Sequence, residues 1–460
     1  MRTLLVKPYN LSDHIQPALG LGYLASSARD RHDVRILDCV KEKIRPSAFE
    51  AALDEIKPDV AGFQCYTYDL HNLKGMLSSC KNRNIKTVLG GPHPTSVPLE
   101  TMEFFGNELD YLFQGEAERG FAKLLDMLEG DANINLNDIE GLLWRKEGRV
   151  FSNPRFFEEN IDNLGIPAWD LIKPETYPEA QHGAFFKKFP IAPIITTRGC
   201  PFSCTFCAGN LISGKRLRKR SVSHILGEME ALYNSRGIRE FHIIDDNFTL
   251  DRAFAKSLLK AVKESSMNVS LSVPNGIRVD TLDDELLELM KSAGLYLISL
   301  GIESGSDRVL KLMKKNTTVE GIRKSVVLIR KHGIEVAGFF ILGFPGETKE
   351  DIEKTIRFSL ELDLIRANFF TYLPFPGTES YNNLKREGRL DEVNLKRFYF
   401  MNATFVPEGL DKNTLKRLQR KAFLGFFLRP GIFLKNIREI KSPRHFKFLF
   451  MRFLRWMFVK

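Results

Sequence analysis

The sequence predicts an α/β protein made of two successive βα halves and a helical, basic C-terminal region. Two observations carry that reading. Short apolar runs alternate with helical stretches through the first 130 residues, and the alternation resumes at Ile191 for six more units. Strands alternating with helices imply βαβ units and parallel sheets. A third observation sets the scale: 460 residues exceed what one core ordinarily organises, so two or three domains are expected.

In the first half, Thr3–Val6, Val34–Leu37, Val60–Gln64, Thr87–Leu89 and Tyr111–Phe113 read as strands. Helical patterns lie between them, near 20–30, 46–56, 70–83 and 116–128. Together they predict a doubly wound parallel sheet over residues 1–130, whose ligands sit beyond the carboxyl ends of its strands. The informative turns are therefore Pro17-Ala-Leu-Gly20, Cys65-Tyr-Thr67, Gly90-Gly-Pro-His93 and Gly115-Glu-Ala-Glu118. Residues 131–190 hold many prolines and a hairpin, Gly141–Ser152 turning at Glu147-Gly148, and read as linker. Next, Ile194–Thr196, Glu240–Ile244, Val269–Val273, Leu295–Leu300, Val336–Leu342 and Ala367–Tyr372 predict a partial (β/α)6 barrel over 191–385. Its chemistry is again expected at the strand C-termini. From about 386 to 460 the pattern is helical, basic and rich in Phe, and no internal repeat is evident.

Hydrophobic content of 43% and charged content of 27% are those of a globular protein and argue against disorder. The net charge of +10 is concentrated in the tail: residues 411–460 hold 14 Lys or Arg against Asp411 and Glu439, while residues 1–410 are close to neutral. Of six cysteines, Cys39, Cys65 and Cys80 are scattered, and Cys200, Cys204 and Cys207 fall within eight positions. That is no disulfide framework, and it fits a reducing compartment. The first residues lack the pattern of a signal peptide, and no run of about 18 apolar residues occurs. Cytoplasmic location is the expectation.

Soft thiolates at tight spacing favour zinc or an iron–sulfur cluster. A structural zinc site normally takes four ligands, usually as two pairs. Here three cysteines follow a strand with no second pair, and three thiolates on a four-iron cube would leave one iron open.

The run Thr196-Thr-Arg-Gly-Cys-Pro-Phe-Ser-Cys-Thr-Phe-Cys207 resembles the signature of the radical S-adenosylmethionine enzymes. Further segments match in order: Asp245-Asp-Asn-Phe248, Gly276-Ile-Arg-Val-Asp280, Gly301-Ile-Glu-Ser304 and Gly338–Glu347. The resemblance implies a [4Fe-4S] cluster on Cys200, Cys204 and Cys207. Its open iron would bind S-adenosylmethionine, which one electron from a donor such as flavodoxin or ferredoxin cleaves to a 5′-deoxyadenosyl radical. In that role Phe206 would meet adenine, Asp245 and Asp246 would hold the ammonium or a ribose, and Glu303 would accept ribose hydroxyls. Arg278 and Ser304 belong to the same matching segments, and Gly343 and Gly346 would let backbone approach the ligand. The run Lys215–Arg220 reads as a solvated face, with one arginine available to a carboxylate or phosphate.

The first domain resembles the cobalamin-binding subgroup of these enzymes, through Pro17–Ala25, Gly90-Gly-Pro-His-Pro94 and Gly115–Glu118. The cobalamin-binding residues so implied are Leu19, Gly20, Gly90, Gly91, Gly115 and Glu116, with Cys65, Tyr66 and Thr67 below the corrin ring. Classical cobalamin domains carry Asp-x-His-x-x-Gly after the first strand. Asn10-Leu-Ser-Asp-His14 and Asp69-Leu-His71 both miss that spacing. The resemblance implies cobalamin bound without a histidine lower ligand and also permits a degenerate domain that binds none, while Cys39 and Cys80 read as core residues.

Phe446–Phe458 mixes aromatics with cations on one helical stretch. It is expected either to touch a membrane surface or to pack on the barrel, while nucleic acid would ask for a more polar stacking face. A lipid-like substrate would accompany membrane contact. The leading functional expectation is methylation of an unactivated carbon of a small or apolar substrate, with cobalamin as methyl carrier. Two alternatives stand: radical oxidation, cyclisation or rearrangement with the same cofactors, and a redox- or cobalamin-responsive binding protein with a vestigial barrel.

Overall fold

The computed structural model describes residues 1–10, 15–179, 185–390, 393, 395 and 398–458, without the side chains of residues 444, 452, 453 and 455–458. Its first sheet has seven strands: β1 (Arg2–Lys7), β2 (Asp33–Asp38), β3 (Val60–Gln64), β4 (Lys86–Gly90), β5 (Tyr111–Phe113), β6 (Leu142–Lys146) and β7 (Arg149–Ser152). They lie in the order β2-β1-β3-β4-β5-β6-β7. The first five pair in parallel, with Leu5 opposite Ile36 on one side and Gly62 on the other. The strand order reverses between β1 and β3, which opens a crevice there at the carboxyl ends.

The hairpin departs from the linker reading. β6 pairs antiparallel with β5, Leu112 opposite Leu143, so residues 142–152 extend the first sheet. Leu142, Leu143 and Trp144 are buried there. Pairing to a strand some thirty residues away is a long-range outcome that local turn chemistry does not reveal.

The second sheet runs through β8 (Ile191–Ile194), β9 (Glu240–Ile243), β10 (Ser270–Ile277), β11 (Leu295–Glu303), β12 (Glu335–Leu342) and β13 (Arg366–Thr371). All six are parallel neighbours in chain order, and β8 and β13 do not pair, so the barrel is open. β8 begins three residues earlier than expected, leaving Thr196 in the turn that leads to the cysteines. Side-chain caps start the helices between strands: Asp251 accepts from Phe254 N, Asp283 from Leu286 N, and Thr348 with Asp351 forms a capping box. Each cap contributes about 1 kcal/mol by occupying an otherwise unbonded amide.

The two halves share a core. Leu19 and Tyr23, on the helix Leu19–Ala28 of the first half, pack with Ile194 and Ile243 of the barrel in one apolar cluster. Trp169 joins them, its indole N–H donating to Glu228 at 2.8 Å. Residues 387–411 contain no α-helix among those described. Helical structure returns at Lys412–Phe427, whose Leu415, Leu418, Ala422 and Phe426 bury against the barrel.

Candidate active site

The first cavity, about 430 Å³, opens over the barrel strands and is lined by Cys200, Cys204 and Cys207 together with Phe206, Asp246, Arg278 and Glu303. The loop that holds the cysteines depends on Gly199. Its φ is +98°, and a Cβ there would lie 2.2 Å from the Arg216 carbonyl oxygen, so only glycine fits. The loop is further fixed by Cys200 N donating to Gly214 O and Thr205 N to Met313 O, both at 3.0 Å.

Burial raises all three thiols above their ordinary range, Cys207 to about 12. Bound iron reverses that preference and deprotonates a coordinating thiol. Two cations share the cavity and offset the charge such a group brings. Arg278 lies 3.8 Å over the Phe202 ring and bonds Asp280 through two nitrogens, at 2.9 and 2.7 Å. Lys315 donates to Glu303 at 2.7 Å, and both are nearly buried. Glu303 ends β11 in the left-handed region at φ +63°, a conformation that costs of order 1 kcal/mol or more and concentrates at functional sites. Among the described residues no three His, Cys, Asp or Glu side chains converge as the ligands of one ion do. Thiolates spread around a four-iron cube do not need to. The donor set fits a cluster.

Several expected site residues lie elsewhere. Asp245 is fully buried and accepts from Thr196 N at 2.7 Å, from the Thr196 hydroxyl and from Thr197 Oγ1 at 2.8 Å. Its carboxylate is engaged by the turn before the cysteines, and it borders the second cavity described below but not the cysteine cavity. Ser304 is buried, bonding Thr355 and the Ser306 amide. Gly343 meets Leu415 of the C-terminal helix and not the cavity, while its N–H donates to the Glu347 carboxylate at 2.5 Å. Asp246 is different: Gly199 N donates to it at 3.1 Å, and it lines both this cavity and a second one.

The second cavity, about 280 Å³, sits at the β1/β3 crevice between the halves and is lined by Gly20, Gly62, Gly90, Gly91, Gly115 and Glu116, among others. A Cβ on Gly20 or Gly90 would meet nothing within 4 Å, so glycine there leaves room in the cavity. Gly91 is required for another reason: at φ +105° a Cβ would press on the backbone of Cys65. These residues fit a bulky group entering along the strand ends. Leu19 instead joins the shared core, and Cys65, Tyr66 and Thr67 line neither cavity. Cys65 is buried in the core of the first sheet, Tyr66 stacks on Tyr68 at 5.3 Å, and the Thr67 hydroxyl bonds His93 at 3.0 Å. No histidine lines either cavity among the described residues. His71 is exposed beside Phe104, and His14 lies outside the described residues.

The arginine of the basic run that was expected to meet a carboxylate is Arg218, and its partner, Glu116, forms a clamp with Arg198 of the turn before the cysteines. Glu116 is buried with Oε1 3.0 Å from Arg198 and Oε2 2.7 Å from Arg218, and Arg198 also meets Glu118 at 3.0 Å. Burial would raise the Glu116 carboxyl, yet the Arg218 and Arg198 guanidiniums hold it below the usual range. Arg220 of the same basic run is buried against Glu228. The run is therefore not a solvated face as a whole: every second residue turns inward, from Arg218 to Arg220, and only that alternation signalled it.

Comparison with known proteins finds a match for each half of the chain. The radical SAM superfamily model matches residues 194–359 and the B12 binding domain model residues 12–125. The chain is 32% identical over 442 residues to an uncharacterized methyltransferase of Pyrococcus horikoshii, covering 95% of this chain and 93% of that one. It is 29% identical to the cytidylyl-2-hydroxyethylphosphonate methyltransferase of Streptomyces wedmorensis, covering 85% and 82%. In fold it resembles the radical S-adenosylmethionine methyltransferase TsrM of Kitasatospora setae, solved with cobalamin and a [4Fe-4S] cluster, at a TM-score of 0.71 and 20% identity, covering 92% and 81%. The chain belongs to the cobalamin-binding branch of the radical SAM superfamily, with a [4Fe-4S] cluster, S-adenosylmethionine and cobalamin as its cofactors.

Proposed function

We propose that this enzyme methylates an unactivated carbon of a small, largely apolar acceptor. The observation that supports it is the position of Asp246, which lines both the cysteine cavity and the glycine-lined cavity. One side chain thus borders both spaces, so they adjoin, which suits a reaction that hands a methyl group to a substrate radical. When bound, the cluster with S-adenosylmethionine supplies the radical and cobalamin carries the methyl group.

The chain's own residues hold and exclude. Cys200, Cys204 and Cys207 would hold iron, leaving the cosubstrate a place on the cluster. Glu303, oriented by Lys315, would accept ribose hydroxyls, and Phe206 would meet adenine. The far wall is aromatic: Phe339 stacks with Phe370 at 5.9 Å, and Phe400 tilts against Phe370 at 5.0 Å. Such a wall suits a flat or lipid-like acceptor and keeps water from a radical. A one-electron donor of the flavodoxin or ferredoxin kind completes the system, in the cytoplasm.

The test is anaerobic incubation of cluster-loaded, cobalamin-loaded protein with methyl-labelled S-adenosylmethionine and a low-potential reductant. Label transferred to the corrinoid, and from it to an added aromatic or isoprenoid acceptor, supports methylation. Label confined to methionine, with 5′-deoxyadenosine formed, supports a non-methylating radical reaction. Absence of cleavage would leave only a binding role.

A further inference from the structure

The last two helices, Pro430–Arg438 and Pro443–Phe458, are docked on the body by one set of side chains and expose another. Lys187 bonds Glu439 at 2.9 Å and Lys435 bonds Glu335 at 2.9 Å. His445 is buried with its ring 5.2 Å from Phe186, and Phe448 packs against Phe186 and Ile191. The helix Pro443–Phe458 is therefore held in place, not trailing.

What these helices turn outward is unusual. Phe433, Leu434, Ile437, Phe446, Phe450 and Met451 are exposed, as is Leu428 just before the first of these helices, and together they are seven of the sixteen exposed large apolar side chains among the described residues. They fall within 24 of the 460 residues. Phe433, Leu434 and Ile437 share one helical face, and no residue of their helix is buried. Phe446 and Phe450, four apart, stack at 6.0 Å and are 53% and 49% exposed. Isolated exposed hydrophobes are ordinary, but a concentration of this kind marks a contact surface.

Charge identifies the partner. Residues 411–460 carry 14 Lys or Arg against two acids, whereas the rest of the chain is near neutral. A surface that is apolar on helical faces and cationic around them complements an anionic lipid interface, where rings enter the headgroup layer and ammonium groups stay at the phosphates. No described helix is long and apolar enough to cross a membrane, which matches helices lying in the interface.

We infer that the helices Pro430–Arg438 and Pro443–Phe458 form a docking surface that seats the enzyme on anionic lipid membranes. The inference does not depend on the reaction proposed above.

Full-length protein is sedimented with phosphatidylcholine vesicles with and without phosphatidylglycerol. Binding to the anionic vesicles alone, weakened by salt, is expected. Phe446→Ser with Phe450→Ser should reduce the bound fraction roughly tenfold, and Phe446→Leu with Phe450→Leu should retain it. Lys441→Gln with Lys447→Gln should reduce both binding and its salt dependence. Unchanged melting temperatures establish that each variant folds. Failure to bind anionic vesicles, or equal binding by the serine variant, overturns the inference. So does a vesicle-free dimer that the serine variant converts to monomer, which would assign the surface to a second copy. Tighter capture of short RNA than of vesicles would equally overturn it.

Discussion

Arg198 Nη1 donates to Glu116 Oε1 at 3.0 Å, and this bond ties the loop leading to Cys200 to the end of the first sheet. Arg198 also covers the Tyr23 ring at 4.9 Å, so its guanidinium touches three parts of the first half. With Arg218 behind it, this contact adds a buried charged tie to the apolar core that the two halves share. Arg198→Ala leaves Glu118 and half of Glu116 buried without a partner. Breaking a buried pair costs about 3–5 kcal/mol, and the retained Arg218 places the loss near 3. Denaturant unfolding of the two proteins measures it.

The same clamp predicts acid sensitivity. Its arginines hold the Glu116 carboxyl below the ordinary glutamate value, so the unfolded chain takes up a proton before the folded one does. The stabilisation is complete above the ordinary value of about 4.3 and is lost as pH falls from there through the depressed value. Glu116→Gln should therefore be less stable than the parent at pH 7, and the gap should narrow as pH falls below about 4.3. A constant difference across that range would contradict the assignment.

Asp245 and Asp246 are predicted to fail differently. Burial lifts the Asp245 carboxyl to about 6 even with the Thr196 and Thr197 bonds opposing it. Asp245→Asn replaces an acceptor of those donors with an amide and should lower the melting temperature of cofactor-free protein by several degrees. Asp246→Asn should leave that temperature nearly unchanged while weakening binding of S-adenosylmethionine or cobalamin, read by equilibrium titration.

Cys200→Ser, Cys204→Ser and Cys207→Ser should each abolish the cluster's visible absorption, whereas Cys65→Ser, in the core of the first sheet, should leave it intact at some cost in stability. Glu303→Gln should retain the cluster and weaken S-adenosylmethionine binding by about tenfold, the magnitude of one charge-assisted hydrogen bond. Retained iron separates that outcome from collapse of the site.

The strands were legible because each is a short apolar run next to a turn, as parallel strands buried on both faces require. The three cysteines were legible because ligand spacing is local. What was not legible depended on distance or direction. The hairpin at Glu147-Gly148 could be read from its turn, but not its attachment to Tyr111–Phe113. Adjacent acids at one strand end look alike in sequence, yet the turn at Thr196 takes up Asp245, and only Asp246 borders both cavities. Lys315 was invisible because it reaches the cluster cavity from beyond a helix, not from a strand end. Arg218, inside a run of cations, owes its role to Glu116, about a hundred residues earlier. In the tail, composition showed rings and charge, while only packing separates Phe448, turned inward, from Phe446 and Phe450, turned out.

The central claim is that one chain holds both cofactors in cavities that meet at Asp246. Its most direct test is the iron and corrinoid content of full-length protein purified without oxygen from cells supplied with cobalamin. Such protein should carry about four irons and about one corrinoid per chain, with the corrinoid lost and the iron retained when Gly20 and Gly90, which leave room in the second cavity, are replaced by valine. Protein carrying iron but no corrinoid under those conditions would contradict it.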